Sequence, residues 1–118
     1  MATASRRDYA EAAANVLAGQ GHAGKTYELG GDNPVTLTEY AGLLSDLAGR
    51  AVVYVDLDEK AYRTALVGAG LPESFAAILA DSDAKAAAGA LETDSRDLRR
   101  LIGRRTTPMR EMLKKLVA

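Results

Sequence analysis

Residues Gly19 to Thr26, "GQGHAGKT", fit two phosphate-binding patterns at once. Read as G-x-x-x-x-G-K-[ST] they make a Walker A loop, and read as G-x-G-x-x-G they make a dinucleotide fingerprint. Either chemistry needs a strand leading into the loop and a helix leaving it. The free N–H groups and positive end of that helix then face the anion. Here the order is reversed. An amphipathic helix enters the glycines and an extended segment, "TYELGG", leaves them, so Lys25 has no helix N-terminus beneath it. "VVYVD", ending at Asp56, imitates a magnesium-holding Walker B strand, but a nucleotide-binding sheet needs more strands than this chain supplies. The expectation is that Gly19 ends a helix and the other glycines turn the chain.

Other reactive side chains are few. His22 is the single histidine and is expected as a solvated turn residue. Without cysteine, thiolate metal sites, disulfides and cysteine nucleophiles are excluded. Asp81 and Asp83 are candidates for an acid/base pair or a hard-cation site, with a polar helix end as the plainer reading. No serine stands in a G-x-S-x-G arrangement. The tyrosines Tyr9, Tyr27, Tyr40, Tyr54 and Tyr62 mostly fall on apolar faces and read as packing residues.

The elements around these residues follow from periodicity and capping. Tyr9, Ala12, Ala13, Val16 and Leu17 form a helical stripe, with Ser5 or Asp8 to cap it and Gly19 to end it. Thr36-Leu37-Thr38-Glu39 is a capping box, followed by a stripe through Tyr40, Ala41 and Leu44. Asp58 starts a third helix, and Pro72 fits the first turn of a fourth with Phe75, Ile78 and Leu79 on its core side. "DSDAKAAAGALETD" fits helix or loop. Ser95 or Asp94 opens a short helix closed by Gly103, and Thr107-Pro108 opens the last. "KTYELGG" and "AVVYVDL" read as two short strands. The expected fold class is α+β, a helix-rich small domain with about six helices and two short strands.

A chain of 118 residues, 47% of them hydrophobic, suits one domain with a modest core. A net charge of −1 gives no general attraction to nucleic acid or to a membrane surface. No apolar run reaches the roughly 20 residues that span a bilayer, and the N-terminus lacks a secretory apolar region, so a cytoplasmic protein is expected. The last quarter is basic, and two short helices around "GRRTT" allow a helix-turn-helix DNA binder as the weakest of three readings.

Four stretches in order, "SRRDYAEAAANVL", "GKTYELGGDNPVTLTEYAGLLSDLAGRAVVYVDL", "GLPESFAAILADSDAKAAAGAL" and "DSRDLRRLIGRRTTPMREML", resemble NmrA-like atypical short-chain dehydrogenases. The likeness is greatest to type 2 NAD(P)H:quinone oxidoreductases and the neighbouring triphenylmethane reductases. It runs from Ser5 to about Leu116, and its most specific parts are "YELGGDNPVTLTEYA" and "LIGRRTTPMRE". The resemblance implies the C-terminal, substrate-side domain of such a protein, without the N-terminal Rossmann domain that binds NAD(P)H. No cofactor is then expected on this chain alone, and hydride transfer in isolation is not expected. The alternative is a non-enzymatic module binding a small molecule or a partner.

No catalytic, cofactor or metal residue transfers from the family. Ser5, Arg6, Asp8 and Tyr9, entering from the side of the missing domain, and Asp81 and Asp83, in an acidic loop, are the candidates for a seam or substrate pocket. A quinone-like or other small aromatic molecule is the expected ligand. The uncovered stripe and strand edges imply a homo-oligomer or a docked Rossmann domain, with Val16, Leu17, Tyr27 and Leu29 as the self-association face.

Overall fold

In a computed structural model, which describes residues 1–117, the chain forms six α-helices. They are α1 (Arg6–Ala18), α2 (Leu37–Ala48), α3 (Glu59–Gly68), α4 (Glu73–Ala87), α5 (Asp97–Ile102) and α6 (Met109–Val117). Three helix starts obey the capping chemistry of the sequence, whereas α5 starts after Arg96, not at Ser95 or Asp94, with no side-chain cap. The Ser5 hydroxyl accepts from the Asp8 N–H at 3.0 Å, and the Asp58 carboxylate accepts from the Ala61 N–H at 2.7 Å. At α2 the box closes in both directions. The Thr36 N–H donates to Glu39 Oε2 at 2.7 Å, and the Glu39 N–H donates to Thr36 Oγ1 at 3.1 Å. α4 begins after Pro72, whose side chain makes no cap. It absorbs the first half of the ambiguous alanine-rich stretch, running to Ala87.

The two short strands are not there: no β-strand occurs among the described residues, and the fold class is all-α rather than α+β. A strand needs a partner ladder, and both segments spend their backbone groups elsewhere. In 26–31 the Glu28 N–H donates to Asp97 Oδ2 at 3.1 Å, and the Gly31 N–H donates to the Ala2 carbonyl at 2.9 Å. In 51–57 the Ser45 hydroxyl clasps Val52, accepting from its N–H at 2.8 Å and donating to its carbonyl at 3.0 Å. Val53 and Val55 stand exposed beyond it. Alternating and β-branched residues suggest a strand, but pairing is a tertiary property.

The chain divides into two compact units: Met1–Tyr54 with Thr93–Ala118, and Val55–Glu92. In the first, α1 packs on α5 and α2 packs on α6. Its core is Ala12, Leu98 and Ile102, with Ala4, Tyr9, Leu29 and Leu101 packed against it. Complete burial of Leu98 contributes about 2 kcal/mol, and Asn15 Nδ2 ties α1 to the Leu101 carbonyl at 2.8 Å.

In the second unit α3 packs on α4. The buried face of α4 is Ala76 and Ala80, whereas Phe75 and Ile78 are exposed and only Leu79 of the expected trio leans inward. Small residues allow close helix approach, which size-based reading of the apolar stripe does not anticipate.

Candidate functional site

The glycine loop holds no phosphate cradle. Residues 19–36 contain no helix, and Gly21 and Gly24 adopt φ of 81° and 74° to turn the chain. His22 is half-buried rather than solvated. Its Nδ1 lies 2.7 Å from the Tyr27 hydroxyl, and the two rings meet edge to face at 5.8 Å. A Cβ at Gly19 would approach His22 Nε2 to 2.9 Å, so this glycine admits the imidazole as well as ending α1. The loop is a staple between α1 and the segment that follows it.

Chemistry concentrates instead at the turn before α6. Thr106 and Thr107 lie between two carboxylates from distant parts of the chain. Asp32 Oδ2 accepts from the Thr106 N–H at 2.9 Å, and the Thr106 hydroxyl accepts from the Asp32 N–H at 2.8 Å. Asp8, fully buried, accepts from the Thr107 N–H at 2.7 Å and from its hydroxyl at 2.9 Å. Arg104 completes the cluster, reaching Asp8 at 2.8 Å and Glu11 at 2.6 Å.

Burial pushes the Asp8 carboxyl up. The Thr107 N–H, Arg104 and the Thr107 and Ser5 hydroxyls outweigh it, and its pKa ends below the ordinary aspartate value. Glu11 and Asp8 in turn hold Arg104 firmly protonated.

Glu11, Arg104 and Thr107 of this cluster line a groove of about 890 Å³ between the start of α1 and α6. Ser5, Arg6, Arg7 and Arg104 give it a polar, cationic side, and Met112 and Leu116 give it an apolar one. Of the sequence candidates, Ser5 and Arg6 therefore line the groove, and Asp8 lies beneath it. Tyr9 turns away into the core.

Asp81 and Asp83 belong to the second unit and sit within α4 rather than in a loop. Asp81 pairs with Lys85 at 2.6 Å, and Asp83 hydrogen-bonds Tyr62, whose hydroxyl pKa is raised by burial and by that carboxylate. No group of three or more metal-ligating side chains occurs among the described residues. Sequence reasoning missed Asp32, Arg104, Thr106 and Met112 as site residues. The first three lie in the two stretches that carry the resemblance most specifically, and Met112 follows directly on the second.

Of the self-association candidates, Leu17 is 86% exposed. Val16 and Tyr27 are half-buried, and Leu29 packs on the core cluster. α5 and α6, the pair proposed for helix-turn-helix binding, pack on α1 and α2 and not on each other.

The clasped helical scaffold and the sequence together make the chain a homologue of the C-terminal portion of type 2 quinone oxidoreductases. It is 46% identical over 116 residues, 98% of its length, to quinone oxidoreductase 2 of Escherichia coli K12. The crystal structure of the NADPH-dependent E. coli enzyme in complex with NADPH superposes on the whole chain with a TM-score of 0.96 and 45% identity. Triphenylmethane reductase of Citrobacter sp. superposes on 99% of it with a TM-score of 0.91 and 36% identity. The chain spans only 41% of the curated E. coli protein, 42% of its crystallised chain and 40% of the Citrobacter one. No protein-family profile matches it. No helix among the described residues is long and apolar enough to cross a membrane.

Proposed function

We propose that the chain is the substrate-side part of an NAD(P)H-dependent quinone oxidoreductase-like protein and does not catalyse hydride transfer alone. Homology along nearly its whole length to part of a quinone oxidoreductase carries this reading. NAD(P)H, held by a dinucleotide-binding domain outside these residues, supplies the hydride. The groove over Asp8 is the candidate seat for the acceptor. Met112 and Leu116 offer an apolar wall to a planar ring, and Arg6 and Arg104 offer cations to its face or its carbonyl oxygens. The Asp8 and Glu11 contacts fix the Arg104 guanidinium before a ligand arrives, which lowers the entropy lost on binding. The reading carries a cytoplasmic location and a partner, either a Rossmann domain or a second copy of the chain.

The experiment is NADPH-dependent reduction of a soluble quinone, followed at the NADPH absorbance. The chain is assayed alone and mixed with a separately produced N-terminal portion of the E. coli homologue, with quinone binding read from tyrosine fluorescence. Binding without turnover alone, and turnover in the mixture, are expected. Turnover by the chain alone overturns its dependence on a second domain, and absence of quinone binding overturns the substrate-side assignment. Binding without turnover in any mixture favours the non-enzymatic module.

A further inference from the structure

Around the end of α5, Arg96, Arg99, Arg100, Gly103, Arg104 and Arg105 line an open concavity of about 410 Å³. Its counter-charges are unevenly shared. Arg96 is held by the Asp32 carbonyl at 3.1 Å and its carboxylate at 3.4 Å. Arg100 is held by Asp97, and Arg104 by Asp8 and Glu11. Arg99 and Arg105 are exposed, and no acidic side chain among the described residues pairs with either.

Cations in a last helical turn are expected from the helix dipole, which accounts for Arg99 and Arg100. It does not account for Arg104 and Arg105, which follow the left-handed Gly103 (φ 69°) and line the same basin. Among the described residues two guanidiniums thus lie without counter-ions, beside three others that carboxylates hold in place.

We propose that this concavity is an anion site for a compact phosphate-bearing anion with two or more charges, the shared chemistry of pyrophosphate and of a terminal phosphate monoester. The planar guanidinium fork matches two phosphate oxygens at once. Arg96 and Arg104 form fixed walls, and Arg99 and Arg105 are the arms that close on the ligand. The site shares Arg104 with the groove, but its test does not rest on the quinone reading. A compact anion is favoured over a nucleic-acid strand because the arginines gather at one basin, in a chain whose net charge is −1.

Calorimetric titration of the full 118-residue chain with sodium pyrophosphate at low salt tests the assignment, with phenyl phosphate as the monoester arm. One saturable site is expected. The double substitution Arg99→Gln/Arg105→Gln is expected to weaken it at least about tenfold, as the loss of two charge-assisted hydrogen bonds requires, with only a small fall in Tm, because Arg99 gives up its interaction with the helix dipole and neither side chain has an ion-pair partner among the described residues. Arg50→Gln, an exposed arginine outside the basin, leaves binding intact. Absence of a saturable isotherm overturns the proposal. So does equal weakening by Arg50→Gln, or tighter binding of polyglutamate or random duplex DNA than of either phosphate probe.

Discussion

Asp8 and Thr107 stand 99 positions apart in the chain and are joined twice, Thr107 donating its N–H to one carboxylate oxygen at 2.7 Å and its hydroxyl to the other at 2.9 Å. This pair brings the start of α1 to the start of α6 and so forms one end of the groove. Because Asp8 is fully buried, losing its charge leaves Arg104 and Thr107 with unmatched donors. Asp8→Asn is expected to destabilise the chain by about 2–4 kcal/mol, seen in urea unfolding as a lower midpoint at unchanged slope.

Asp32 holds the neighbouring Thr106, so the two carboxylates share one turn. Asp32→Asn is expected to destabilise on its own, yet the double variant should fall short of the sum of the two effects by about 1 kcal/mol. Strict additivity in the double-mutant cycle would show that the turn is not held as a unit.

Acid should loosen the same contacts. Asp8 has a depressed pKa, and Asp97 has one through the Glu28 N–H, Arg100 and Ser95. A carboxyl whose folded pKa lies below its unfolded value adds stability above the unfolded pKa, which is lost as pH falls through the folded one. Stability is therefore expected to decline as pH drops below about 4. The decline should be shallower in Asp8→Asn than in the parent, measured by thermal melts across the acid range.

Two glycine substitutions should act with opposite signs. A Cβ on Gly31 would fall on the Thr3 carbonyl, within the contact where the Gly31 N–H donates to Ala2. Gly31→Ala is expected to destabilise by about 1–3 kcal/mol. Gly42 lies within α2 with open space around its Cβ position, and Gly42→Ala is expected to stabilise by about 0.5–1 kcal/mol. Thermal unfolding reads both.

The proposed self-association rests on Leu17, an exposed large apolar side chain of its stripe. Light scattering at high concentration is expected to show a species heavier than the monomer, and Leu17→Arg should return it to monomer. A monomeric parent chain would remove Leu17 as an interface residue.

Local chemistry was legible in the sequence. The Ser5, Thr36 and Asp58 caps, the glycine stops and the reversed order around "GQGHAGKT" depend on residues within one or two helical turns of each other, and a linear reading contains such distances. Segments 26–31 and 51–57 read as strands from their β-branched and alternating residues, and that reading was wrong. Whether they become strands depends on which groups meet their N–H and carbonyl groups. Ser45, Asp97 and Ala2 occupy those groups here, and only the folded chain brings these residues alongside. The joining of Asp8 to Thr107 and of Asp32 to Thr106, which makes the groove, was decided by the tertiary structure for the same reason: a buried carboxylate is satisfied by whatever donors packing delivers, however far along the chain they lie.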